Sequence, residues 1–79
     1  MPKYFFSSRA NGLVVVDDEG QDFDNVERAI AHAVVGARSL MAHQVTHGVL
    51  DLDGAVNITA DEGVAVATVT FPQALSVIR

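Results

Sequence analysis

Residues 24–48, DNVERAIAHAVVGARSLMAHQVTHG, spell one long helix with both of its ends marked. Asp24 is placed to accept the amides of the first turn, Glu27 three residues on completes a capping box, and Gly48 supplies the left-handed residue that stops the helix. About 23 residues at ~1.5 Å each give a length of roughly 35 Å, more than the short strands expected on either side can cover. A helix that overhangs its sheet needs a further partner, so the stretch predicts a small α+β domain that self-associates.

Advancing each residue by about 100° puts Val26, Ile30, Ala33, Ala37, Leu40, Met41 and Gln44 within roughly 60° of one direction, the expected core stripe. Ala31, Val35 and Ala42 point nearly opposite, with Val34 and Val45 on the shoulder, so the outward side is poor in charge. Together with the excess length, this makes Ala31, Val35, Ala42 and Val45 the expected interface of a twofold homodimer. Gly36 costs about 1 kcal/mol in a helix interior; beside Ala29 and Ala33 it reads either as allowing close backbone approach or as tolerated drift.

Outward from the helix, Lys3–Ser8 and Leu13–Asp17 are rich in aromatic and β-branched residues, and the Asn11-Gly12 pair between them favours a tight hairpin. Asp17-Asp18-Glu19-Gly20 breaks the second arm. Beyond Gly48, residues 49–54 form a connector, Val56–Thr59 alternates as a half-buried strand does, Asp61-Glu62-Gly63 is a turn, and Val64–Phe71 is a second β run that stops before Pro72. Residues 73–79 read as a final turn or strand covering an edge. The order is ββαββ over a single domain, residues 1–79: two β-hairpins forming one antiparallel sheet of four strands with the helix packed across a face.

With 79 residues the margin of stability is thin. The absence of cysteine excludes a disulfide framework, a thiolate metal site and a cysteine nucleophile. Ten acidic residues against five basic ones give a net charge of −5, which disfavours phosphate backbones and anionic lipid, so neither nucleic acid nor membrane is expected as a partner. The N-terminal residues lack the apolar run of a signal peptide, and the expected location is the cytoplasm. Asp17, Asp18, Glu19, Asp22, Asp24 and Glu27 crowd the start of the helix, while Arg28, Arg38, His32, His43 and His47 follow. That distribution complements the helix macrodipole; an acidic docking surface is the alternative.

His43 and His47, four residues apart, share one side of the last helical turns, a spacing that metal-binding helices use. His32 has nearly the azimuth of His43 but lies ~16 Å away along the axis. A third ligand would have to come from Asp51 or Asp53. The preferred reading is exposed histidines near a helix C-terminus, with no metal and no cofactor. Asp51-Leu52-Asp53-Gly54 and Asp61-Glu62-Gly63 lack the ligand spacing of a calcium loop and read as turns. Ser7, Ser8, Ser39 and Ser76 have no signalled His and acid partners, and no phosphate-cradling glycine loop occurs, so an enzyme is not expected.

The opening Pro2-Lys3-Tyr4-Phe5-Phe6, the Asp18-Glu19-Gly20 turn, the alanine-rich helix, the Asp51-Leu52-Asp53-Gly54 connector, the Asp61-Glu62-Gly63 turn and the ending Val69-Thr70-Phe71-Pro72-Gln73-Ala74 resemble a family of small bacterial domains of unknown function common in alphaproteobacteria. The resemblance covers nearly the whole chain and implies no catalytic residues. The chain departs from it at Ser7, where members often have His or Asp, and at Pro72-Gln73, where they have a small residue and an acid. The expected function is a non-catalytic, homo-oligomeric interaction or regulatory module. The alternatives are an antitoxin-like acidic partner of a basic protein, by fold-level analogy alone, and a weak metal or small-ligand module on His43 and His47.

Overall fold

The Asn-Gly turn forms as the sequence dictates. In the computed structural model, which describes residues 1–78, Asn11 (φ 52°) and Gly12 (φ 77°) are both left-handed, as a type I′ turn requires. They join strand β1 (Lys3–Ala10) to β2 (Leu13–Val15) in the register Ser8 to Val15, Arg9 to Val14 and Ala10 to Leu13. Past Val16 the chain bulges outward and then returns to the same edge of β1 as a short strand, β3 (Gln21–Asp22), pairing Lys3 with Asp22 and Tyr4 with Gln21. The expected second arm is therefore one edge strand split in two, and the sheet has five strands rather than four.

Asp17 holds that split together. One carboxylate oxygen accepts the Phe6 amide of β1 at 3.0 Å, and the other accepts the amides of Glu19 and Gly20 at 3.1 Å each. The side chain takes over where the ladder loses its backbone acceptor, so no donor in the gap is stranded.

The helix, α1, spans Val26–Thr46, and its N-cap is Asn25 rather than Asp24. The Asn25 side chain accepts the Arg28 amide at 2.9 Å, which puts Arg28 and not Glu27 at the third helical position, so the expected capping box does not form. The reason lies upstream. The Phe23 amide donates to the Pro2 carbonyl at 3.1 Å, and its ring packs on Tyr4 and Phe6 at centroid distances of 6.3 and 5.7 Å, so the chain is still tied to the sheet there and turns only afterwards. Asp24 makes an exposed 3.8 Å ion pair with Arg28. The helix ends as expected. Gly48 has φ 79°, its amide bonds to the Val45 carbonyl and that of Val49 to the Gln44 carbonyl, both at 2.9 Å, which is the Schellman arrangement.

Strands β4 (Ala55–Ala60) and β5 (Ala65–Thr70), joined by a 3₁₀ turn at Asp61–Gly63, complete an antiparallel sheet in the order β2-β1-β4-β5. Tyr4, Phe6 and Ser8 of β1 stand opposite Ala60, Ile58 and Val56 of β4. A second 3₁₀ turn, Pro72–Ala74, lies against α1, where the Arg38 guanidinium donates to the Ala74 carbonyl at 2.8 Å. Only the start of the tail takes up the expected turn, and residues 75–78 form no regular element; Arg79 lies outside the described residues.

The buried stripe of α1 is Ala29, Ala33, Ala37 and Met41, flanked by Val26, Ile30 and Val34, over Tyr4, Val56, Ile58, Val69, Phe71 and Ala74. Leu40, expected in this stripe, is 36% exposed, and Gln44 is half-buried, its side-chain oxygen accepting the Asp51 amide at 3.0 Å. The helix lies over β4, β5 and the second 3₁₀ turn, offset toward the β5 side of the sheet, and it is turned accordingly. Small alanines on the buried stripe allow that close seat, and Phe71, fully buried, fills the space over Gly54.

Candidate functional site

Because α1 covers β4 and β5, the helix-facing side of the first hairpin is left open. Strand alternation points Phe6, Ser8 and Ala10 of β1, and Leu13 and Val15 of β2, toward this side. Between them and the helix runs a groove. One part, about 360 Å³, is floored by Phe6, Ser8 and Val56 and walled by His32, Gly36, Ser39 and Leu40. It continues past Ser8 and Leu40 into a second part of about 260 Å³ bounded by Leu13, Val15, His43 and Gln44. Gly36 faces open space, with nothing within 4 Å of where a Cβ would stand, so of its two readings close backbone approach does not hold within the chain.

The groove is apolar with a thin polar rim. His32 packs edge-on to Phe6 at 4.9 Å and against Phe23 at 5.2 Å, which makes it part of an aromatic cluster. Ser8 and Ser39 line the groove near it, but among the described residues no serine is hydrogen-bonded to a histidine or an acid. Among the described residues, no polar or charged residue is fully buried.

His43 and His47 do come together, with ring centroids 4.4 Å apart. Nδ1 of His47 lies 2.9 Å from the His43 carbonyl, which engages one of its two nitrogens. Asp51 is occupied elsewhere. Its two oxygens accept the amides of Asn11 at 2.6 Å and Asp53 at 2.9 Å, clamping the hairpin tip to the helix exit. The Asn11 amide, then the Asp53 amide, and with them the charge of Arg9, hold this carboxyl below its usual range against a small opposing effect of burial. Among the described residues no three groups of metal-ligating type gather. Asp17 is likewise lowered, first by the Phe6 amide and then by that of Gly20, with Glu19 adding less.

The helix residues Ala31, Val35, Ala42 and Val45 all lie exposed on the side away from the sheet, and the Arg38 side chain is drawn off toward Ala74. A second run of apolar residues is also exposed. Leu13, Val14, Val15 and Val16 are 70, 65, 61 and 70% exposed, along the free edge of the sheet. Sequence reasoning took this run for an ordinary hairpin arm. Its signal was the absence of any polar residue in four, since a strand with one solvated face alternates.

A family profile described as Domain of unknown function (DUF6894) matches residues 3–72. Comparison with curated proteins and with solved structures gives no match in either. With that profile extending from the first strand into the second 3₁₀ turn, the chain belongs to the DUF6894 family of domains of unknown function.

Proposed function

We propose that this domain is a non-catalytic interaction module that works as a homo-oligomer. The observation that carries the reading is surface area. A folded monomer of 8.4 kDa is expected to expose about 4,600 Å². This chain exposes 5399 Å², roughly 800 Å² more. The molecule is slab-like, 39 × 25 × 16 Å, a shape with more surface for its volume than a sphere. The surplus includes the Leu13–Val16 edge, the groove beside it, and the outer helix strip of Ala31, Val35, Ala42 and Val45. Light scattering coupled to size exclusion tests this directly. A mass of twice the chain at micromolar concentration is expected, and a monomer up to roughly 100 μM overturns it.

A second reading has one observation in its favour. Asp18, Glu19, Asp22, Asp24 and Glu27 are all exposed around the helix start, a surface suited to masking a basic protein, as an antitoxin-like partner would. Salt-sensitive, stoichiometric binding to a basic protein encoded beside it would favour that reading over self-association alone.

A further inference from the structure

Resting on the homo-oligomer reading, we infer that each copy lays the outer face of α1 into the groove of the other, so that two sheets enclose a pair of helices. The groove is the vacant half of a layer. Helix α1 covers β4 and β5, which leaves β1 and β2 open over about 10 Å at ~4.8 Å per strand, and a helix with its side chains is ~10–12 Å across. From His32 to His43 the groove runs eleven residues along α1, ~16 Å or three helical turns. A second helix fills a space of that shape.

The chain carries such a helix itself. Ala31, Val35 and Ala42 lie on the face of α1 turned from its own sheet, and all three are small, apolar and exposed. A twofold axis parallel to the two helices and midway between them sets this face on the partner's open strands. Val15 pairs with Ser8, and Ser8 lies between Gly36 and Leu40 along the groove, so the partner's Val15 falls between Val35 and Ala42. Each contact occurs twice, strip to groove and groove to strip, and association closes at two. The outer edges of β2 and β5 take no part. The same axis sets two acidic helix starts at one end, so salt strengthens the pair by screening, opposite in sign to the capture of a basic protein.

Gly36 is an independent sign. It weakens the helix, yet beyond its own helical turn no atom of the chain comes within 4 Å of where its Cβ would stand, so the monomer makes no use of a glycine there. It lies on the groove wall between His32 and Leu40. That is where the partner's helix passes alongside, and a missing Cβ lets the two backbones approach.

The test is sedimentation velocity of Val35→Glu and Val15→Lys, singly and mixed, beside wild type and Gly36→Ala, with thermal melts to check folding. Val35 and Val15 are 59 and 61% exposed in the monomer, so its fold tolerates both charges. Each charged variant alone is expected to be monomeric where wild type is dimeric, because both contacts are spoiled. An equimolar mixture is expected to dimerise again, because one contact gains a Glu–Lys pair and the other is wild type. Gly36→Ala is expected to stay folded and to weaken the dimer about tenfold. A mixture that stays monomeric, or a charged variant that dimerises alone, overturns the strip-to-groove pairing and leaves the homo-oligomer reading standing. If a charged variant fails to fold, Gly36→Ala decides: weakened association supports the contact and unchanged association overturns it. A monomeric wild type overturns both.

Discussion

Replacing Asp17 with Asn should weaken the fold by about 1–2 kcal/mol, because three backbone amides depend on its carboxylate. Asn keeps one oxygen, enough for Glu19 and Gly20, but turns its amide group toward the Phe6 N–H, so donor faces donor where the split edge is held. A net hydrogen bond is worth ~0.5–1.5 kcal/mol, and leaving the part-buried Phe6 amide without an acceptor adds to that loss. For a domain of this size the loss should lower Tm by roughly 4–15 °C. The sign of the pH dependence follows from the lowered pKa. The carboxyl titrates below its ordinary 3.8 in the folded chain, so its stabilisation is fully present above 3.8 and is lost as pH falls through the folded value. Asp51 is lowered too, so wild type alone would mix the two; the difference between wild type and Asp17→Asn isolates one. Urea denaturation at a series of pH values from about 7 to 2.5 should show that difference shrink toward zero at the acid end. A difference that stays constant over the series, or that never exceeds about 0.3 kcal/mol, would refute the role assigned to this carboxylate.

Other substitutions probe the rest of the fold. Gly54→Ala should cost about 2 kcal/mol or more, because the new Cβ would stand well inside van der Waals contact with the Phe71 ring; Gly54→Ala with Phe71→Leu should cost less than the two single changes added together, measured as a double-mutant cycle. Asn25→Ala should cost ~1 kcal/mol and Asp24→Ala no more than about 0.3, and equal losses in chemical denaturation would return the cap to Asp24. Replacing His43 and His47 together with Gln should leave melting and association unchanged, with or without added zinc; a dimer that dissociates with chelator would put a shared metal at the interface.

What could be read along the chain was what local chemistry decides. Asn11-Gly12 fixes its turn through left-handed backbone, Gly48 fixes the helix end, and Pro72 ends the last strand. The helix start was missed by one residue because Asp24 and Asn25 cap equally well and the choice falls to a hydrogen bond from Phe23 to Pro2, far away in sequence. Leu40 and Gln44 were misplaced for a similar reason, since helical periodicity finds a stripe but not which strands it will sit on. The split between β2 and β3 needed the contact of Asp17 with Phe6, eleven residues away. Of the candidate site, the histidine pair was legible and the groove was not: its walls come from three separate segments, β1–β2, α1 and β4.

The pairing at the middle of the sheet also governs how quickly the domain can form. Tyr4 meets Ala60 and Arg9 meets Ala55, so the central ladder joins segments about fifty residues apart, and the chain must traverse the whole helix before it can close. Pairing between such distant segments slows folding relative to a chain of the same length built from local contacts. During synthesis the residues of the first hairpin and the helix emerge before those of β4, the strand that pairs with Tyr4 and Phe6. A slow step at that ladder predicts that changes on the outer face of α1 alter the unfolding rate and changes in the β1–β4 pair the folding rate, to be read from chevron plots of the variants.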